Sequence, residues 1–190
     1  ISGLTLEIDG SNQGGQIIFN STSLLVDAPE IMPDPLSFET LKGQLTWQHQ
    51  DGELLVNVDK VAVVNRELSG ELSGSYQTRS DTKGVLDLEA KLTRGDIRYA
   101  SRYVPLVALG RKGNDWLKGA IQGGHTENLR ILIQGNLSDF PLNGTEDATF
   151  EISGNMQDGI LEFDSAWPKI KNITGELSIQ GNTLQVKSSS

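Results

Sequence analysis

The sequence predicts a mainly β protein built on a wide, strongly curled antiparallel sheet, with a short insert of two helices. Three observations carry this. Apolar and polar residues alternate with period two along most of the 190 residues. Turn signals rich in Gly, Asn and Asp stand between the alternating runs, and one stretch alone, beginning at Asp96, has helical spacing.

Taken in order, Leu4, Leu6 and Ile8 oppose Thr5, Glu7 and Asp9, and the turn Asp9-Gly10-Ser11-Asn12 closes the first run. Ile17 and Phe19 mark the next strand, and Leu45 and Trp47 oppose Gln44, Thr46 and Gln48 on another. Asp51-Gly52, a hairpin signal, leads into Leu54, Val56 and Val58. Leu68, Gly70, Leu72, Gly74 and Tyr76 form a long ribbon against serines and Glu71, followed by Leu86, Leu88, Ala90 and Leu92. After Asp96 as N-cap, Ile97, Tyr99, Ala100, Tyr103 and Val104 share a helical face that Pro105 ends. A second helix is expected over about 111–121, with Trp116, Leu117, Ala120 and Ile121 on its apolar side and Gly123-Gly124 as its stop. Strand patterning resumes at Leu129, Ile131 and Ile133. It continues through Phe150 and Ile152, Leu161 and Phe163, Leu177 and Ile179, and Leu184 and Val186. Asn143-Gly144, Asp158-Gly159 and Gly181-Asn182 are the turns expected between these strands.

About thirteen strands at ~4.8 Å spacing make a sheet roughly 60 Å wide, too wide to stay flat and open. Such a sheet either closes into a sandwich or barrel, burying its apolar face, or curls into a trough whose interior stays available to another molecule. The helical insert is expected to pack across the sheet, because Tyr99, Tyr103, Trp116 and Leu117 are too apolar to leave in water.

The chain also repeats itself. The segment Thr5-Leu6-Glu7-Ile8-Asp9-Gly10 with Gln13, Gly15 and Phe19 matches Thr149-Phe150-Glu151-Ile152-Ser153-Gly154 with Gln157, Gly159 and Phe163 without gaps. Further on, Pro35, Leu41, Gly43, Leu45, Leu54 and Val56 have counterparts in Pro168, Ile173, Gly175, Leu177, Leu184 and Val186. Repeats of this kind stack because one hairpin cannot bury its own apolar face. The expected organisation is a first β-repeat unit over 1–94, the helical insert over 95–124 and a truncated second unit over 125–190. Together they make one continuous structural domain of a longer protein.

Composition narrows the function. Twenty-five acidic against 16 basic residues, a net charge of −9, argue against nucleic acid as a partner. With no Cys there is neither a disulfide scaffold nor a thiolate metal site. His49 and His125 are the only histidines and stand in no triad or metal-ligand spacing. Asp9-Gly10-Ser11-Asn12-Gln13-Gly14 resembles the first half of a calcium loop, but Asn20 stands where a bidentate Glu is needed, so a hairpin turn is expected. Glu7, Asp87, Glu89, Glu151 and Glu176 could hide a glycosidase pair, yet all fall on the polar phase of strands. No catalytic residue, metal or cofactor is expected. The informative feature is the apolar phase: Leu6, Ile8, Phe19, Leu45, Trp47, Val56, Leu88, Ile131, Ile152, Phe163, Leu177 and Val186 are expected to line one continuous concave surface, the inside of a groove.

The run Ile97-Arg98-Tyr99-Ala100-Ser101-Arg102-Tyr103-Val104-Pro105-Leu106 with Asp115-Trp116-Leu117, then Asp139-Phe140-Pro141 and Trp167-Pro168, resembles the YhdP proteins. These are large members of the AsmA-like group to which TamB also belongs. The upstream Pro35-Leu36, Gly43-Gln44-Leu45 and Trp47 fit the same pattern, so the resemblance covers essentially the whole chain. It implies a periplasmic, bridge-like lipid-transfer protein, held in the inner membrane by a helix outside this segment. Its hydrophobic β-groove would take phospholipid acyl chains toward the outer membrane, with neighbouring β-repeats of the same chain extending the groove. The other reading of the residues is a structural β-repeat, an envelope scaffold or adhesin segment that binds no lipid.

Overall fold

The computed structural model describes residues 1–139, 148–164, 166–181 and 183–188. Strands make up 64% of it and helix 12%, and the sheet is strongly curled. Eleven strands form a single sheet. They are β1 (Leu6–Gly10), β2 (Gly14–Val26), β3 (Leu36–Gln50), β4 (Glu53–Val64), β5 (Leu68–Gln77), β6 (Val85–Asp96), β7 (Ile121–Thr126), β8 (Leu129–Asn136), β9 (Thr149–Leu161), β10 (Ile170–Gln180) and β11 (Thr183–Ser188). All pairings are antiparallel, and each strand pairs with its neighbours in sequence except β7 and β8, which do not pair with one another.

Strands β6 and β9 each pair with both β7 and β8, which closes a small ring of pairings. The registers show how the ring is filled. Along β6, Asp96 and Gly95 face His125 and Thr126, and Leu92 to Val85 face Leu129 to Asn136. Thus β7 and β8 lie end to end between β6 and β9, parted only by the irregularity at Glu127 and Asn128. The eleven strands therefore occupy ten lines, about 43 Å across at ~4.8 Å per spacing. That is narrower than the sequence suggests: the sheet has eleven strands rather than about thirteen, one of them a merger of two expected strands, and β7 and β8 share a line.

The merged strand is β9. Asp158-Gly159 reads as a hairpin turn in the sequence, but here it lies inside β9, with Asp158 at φ 53°. A left-handed residue followed by Gly fits a β-bulge as well as a turn, so the same two residues bend one strand instead of joining two. Asp51 and Gly52, at φ 54° and 83°, do form the expected tight turn between β3 and β4. The first turn is also a hairpin, closed by Ser11 N–H donating to Gly14 O at 2.8 Å. The turn expected at Asn143-Gly144, the Phe140-Pro141 motif and Asn182 lie outside the described residues.

The repeat is only partly realised. Its second portion corresponds to two hairpins, β3–β4 and β10–β11. Its first portion sets the β1–β2 hairpin against the single strand β9, so the ungapped match does not join equivalent strands. The strand equivalent to β9 is β2. Both have 13 residues and nearly the same burial sequence, with the left-handed Ser23 of β2 (φ 56°) at the position of Asp158.

The strand ends define two rims. The hairpin rim carries the β1–β2, β3–β4 and β5–β6 connections. The helical rim carries the 27–35 and 65–67 connections, the helices and the segment after β9. Register shifts at Val58/Val61, Ser69/Gly70 and Ile173/Gly175, with the left-handed Ser23 and Asp158, lie mostly toward the helical rim. Bulges bend the strand that carries them, so the sheet turns over at that side. There the core collects: Val61, Leu68, Leu129, Met156 and Leu161 are buried, as are Ser21 and Thr126.

Asp96 caps the first helical turn (Ile97–Tyr99) as expected, its carboxylate accepting from Arg98 N–H. Helix α1 (Ala100–Tyr103) ends before Pro105. Helix α2 starts at Leu106 rather than near 111 and ends at Ala120. Gly123 and Gly124 do not stop it; they belong to β7, which begins directly at Ile121. Leu106 N–H donates to Ile31 O at 2.7 Å, placing the start of α2 beside the β2–β3 connection, while its last residue runs into β7. Fifteen residues span about 22 Å, close to the ~19 Å from β3 to β7. The helix is therefore a beam laid across the strand ends along the rim.

Candidate functional site

Cross-strand partners point to the same side of a sheet, so the registers establish which residues share a face. One row crosses from Leu6 through Phe19, Gly43, Val61, Leu72, Ala90, Ile131 and Ile152 to Ile179. A second runs Ile8, Ile17, Leu45, Val58, Gly74, Leu88, Ile133, Phe150. A third runs Gly10, Gly15, Trp47, Val56, Tyr76, Leu86, Gly135. Leu177, facing Gly154 and Val186, continues the same side. Tyr76 is the only titratable side chain in the three rows.

Eleven of the twelve residues expected from alternation thus fall on one face. The exception is Phe163, which lies beyond the end of β9 and is exposed at the helical rim. The opposite face is polar: Asp9, Gln16, Thr46, Asn57, Ser75, Asp87, Gln134 and Thr149 form one of its rows. Cross-strand charge pairs brace it. Arg130 and Lys91 flank Glu89, and the Arg130 hydrogen bond, ahead of Lys91, holds that carboxyl below its usual range.

Among the described residues every strand belongs to the one sheet, and no separate sheet is set against the apolar face. Accessibility grades along it. Near the helical rim Val61 is 7% exposed and Met156 2%, whereas Ile8, at the β1 edge, is 61% exposed. Between these limits most of the face is half-buried. Trp47 covers the glycine pair beside it: a Cβ added to Gly10 would stand 2.8 Å from Trp47 Cη2, and one on Gly15 2.5 Å. Any larger residue there displaces the indole. The open depression around Trp47 has Asp9, Ser11, Gln13 and His49 on its lining, and the Ser11 hydroxyl is held within its own turn, donating to Gly14 O and accepting from Gln13 N–H.

At the helical rim a polar knot, not foreseen from the sequence, ties the insert to the sheet. Asn65 Nδ2 donates to Ser37 O (2.9 Å) and to the Tyr103 hydroxyl (2.8 Å). Its Oδ1 accepts from the N–H groups of Glu67 and Leu68. The Tyr103 hydroxyl donates to Glu67, and Arg102 pairs with Glu67 and donates to Pro35 O. Burial, as the largest cause, pushes the Tyr103 hydroxyl up to about 12. The expected burial of the insert's aromatics is not met throughout: Tyr103 and Leu117 are half-buried, but Tyr99 is exposed and Trp116 is 54% exposed. Trp116 instead reaches the segment after β9, its Nε1–H donating to Phe163 O at 3.3 Å.

Face, rims and order together define a single-sheet protein of nearly sequentially ordered strands, polar on one side and continuously apolar on the other. A model described as YhdP protein matches residues 1–190, and the chain belongs to that family. It is similar to the intermembrane phospholipid transporter YhdP of Escherichia coli (strain K12), with 22% identity over 180 residues. The match covers 95% of this chain and 14% of that protein's length. No solved structure matches the chain.

Proposed function

We propose that this chain is a segment of a periplasmic bridge-like lipid-transfer protein and that its apolar face is the floor along which phospholipid acyl chains move. The observation that carries the reading is the continuous apolar face of a single sheet, with no separate sheet against it among the described residues and no charged group in its three rows. An acyl chain on such a floor loses water contact at about 0.8 kcal/mol per CH₂ shielded. Partial shielding over equivalent aliphatic rows gives binding without one preferred station, which is what movement needs. The name of the similar protein, an intermembrane phospholipid transporter, supports the same cargo and an envelope location. No helix among the described residues is long and apolar enough to cross a membrane, so on this reading the anchor lies in another part of the longer protein.

Native mass spectrometry of the purified chain tests the proposal. Phospholipid adducts that disappear in Val56→Asp, with the fold retained by circular dichroism, are expected. A folded chain that carries no phospholipid favours the scaffold reading.

A further inference from the structure

The two rims differ in charge and in what they expose. At the helical rim stand Arg66, Arg94, Arg98, Arg102, Lys169 and Lys171, with three more cations on α2, making nine of the chain's 16 Lys and Arg. The hairpin rim has only Arg79 and Lys83 among its described residues, against Asp9, Asp51, Glu53, Asp81 and Asp139. The helical rim carries eight carboxylates beside its nine cations, three of them in the 27–35 connection, so the rims differ in their cations rather than in their acids. Part of the basic set is used internally. Arg102 pairs with Glu67, Arg98 with Asp96 and Lys169 with Glu162, while Arg94 donates to the Asn65 and Arg66 carbonyls. The three cations of α2, namely Arg111, Lys112 and Lys118, are exposed and have no carboxylate within 4.0 Å among the described residues; Asp115 is the helix's one acid.

Beside these cations the rim exposes aromatic rings. Trp116 is 54% exposed, Trp167 is 71% exposed, and Phe163 is exposed as well. The Trp116 hydrogen bond to Phe163 O brings the two segments together. At the hairpin rim, by contrast, Trp47 lies over the Gly10–Gly15 pair. Exposed tryptophans next to Lys and Arg are the side chains that settle at the boundary between acyl chains and charged headgroups.

We propose that the helical rim is the headgroup side of the floor: phospholipid phosphates travel along α2, met by Arg111, Lys112 and Lys118, while Trp116 and Trp167 sit at the glycerol level and the acyl chains lie on the apolar rows. The proposal rests on the acyl-chain reading above and adds to it an orientation. A lipid lying the other way would set its phosphate at a rim with two cations against five carboxylates, where the helical rim has nine against eight. Because α2 runs across the strand ends from the β2–β3 connection to β7, its cations are spread along the direction of travel. A phosphate passing this segment can exchange one cation for the next.

The test uses the full-length protein reconstituted with phosphatidylglycerol carrying a photoreactive diazirine either on the headgroup or at the end of one acyl chain. The headgroup probe is expected to label peptides around 111–118 and 166–171 at least about fivefold over those around 9–16 and 48–53. The acyl probe is expected to label the floor strands. Combined Arg111→Glu, Lys112→Glu and Lys118→Glu, all exposed and so compatible with folding, should lower headgroup labelling of this rim about fivefold and leave acyl labelling intact. Arg79→Glu with Lys83→Glu should change neither. Headgroup labelling spread equally over both rims, or indifferent to the α2 reversal, overturns the orientation while the acyl-chain reading stands. Failure of the acyl probe to label the floor overturns both.

Discussion

Val56 and Val61 lie on the same strand and the same face, yet one carboxylate introduced at each should have very different consequences. Val61 is 7% exposed, seated between Gly43 and Leu72. Val61→Asp loses the burial of a valine, about 2 kcal/mol, and leaves a carboxylate among aliphatic groups with no donor, at least about 2 kcal/mol more. Val56 is half-buried, in a row with Trp47 and Tyr76 on the accessible part of the face. An Asp there keeps its water and loses only part of the apolar contact, about 1 kcal/mol. The difference of about 3 kcal/mol amounts to roughly a hundredfold in the unfolding constant. Urea titrations followed by far-ultraviolet circular dichroism and tryptophan fluorescence measure it directly. Equal destabilisation of the two variants would refute the reasoning, because it requires the face to be packed at Val56 as closely as at Val61.

Three further outcomes are expected. Asn65→Ala removes four hydrogen bonds from a buried side chain and leaves the Ser37 carbonyl and two amides short of partners, so urea unfolding should show a loss of about 3 kcal/mol; a loss under 1 kcal/mol means water replaces the knot. The raised Tyr103 hydroxyl contributes stability that is fully present below the ordinary tyrosine value near 10 and is lost as pH rises toward about 12; the stability gap between wild type and Tyr103→Phe should therefore narrow over that window, and a constant gap contradicts the burial of the phenol. Trp116→Ala should cost less than about 1 kcal/mol, since the ring is mostly in water; a calorimetric Tm falling by more than several degrees would show that the ring is part of the core.

The faces were legible in the sequence because period-two alternation survives bulges: a register shift at Val58/Val61 changes the spacing but returns the aliphatic residues to the same side. Leu6 to Val186 could therefore be placed on one surface before any strand partner was known. Strand boundaries were not legible where one local conformation serves two purposes. Asp158 with positive φ suits a turn and a bulge alike, and that ambiguity split β9 and put Phe163 on a strand it does not occupy. Gly123-Gly124 reads as a helix stop, yet Gly124 is needed small because Ile97 Cδ1 would stand 2.7 Å from its Cβ. The rim knot escaped because Asn65, Glu67, Arg102 and Tyr103 converge from separate connections, and nothing in their sequence spacing announces it. Exposure of Trp116 escaped for the opposite reason: its residue type argues for burial, and only the position of α2 along the rim leaves it outside.

The nearly sequential order of the strands, in which only β8 is set beside β6 rather than beside the strand before it, has a consequence for how the molecule is made. From β1 to β6 each strand finds its template in the one before it, and only β7 and β8 wait for β6 across the helical insert. Assembly can advance hairpin by hairpin as the polypeptide emerges, like a zip with a single slider, and the slow closure of a long loop is confined to the helical insert between β6 and β7. Insertion or deletion of a complete hairpin within such a series preserves the facing of all the others, because every added pair restores the direction of the chain. The span of the sheet is thus adjustable through duplication without redesign of its interior, a property that closed sandwiches and barrels, with their fixed strand numbers, lack.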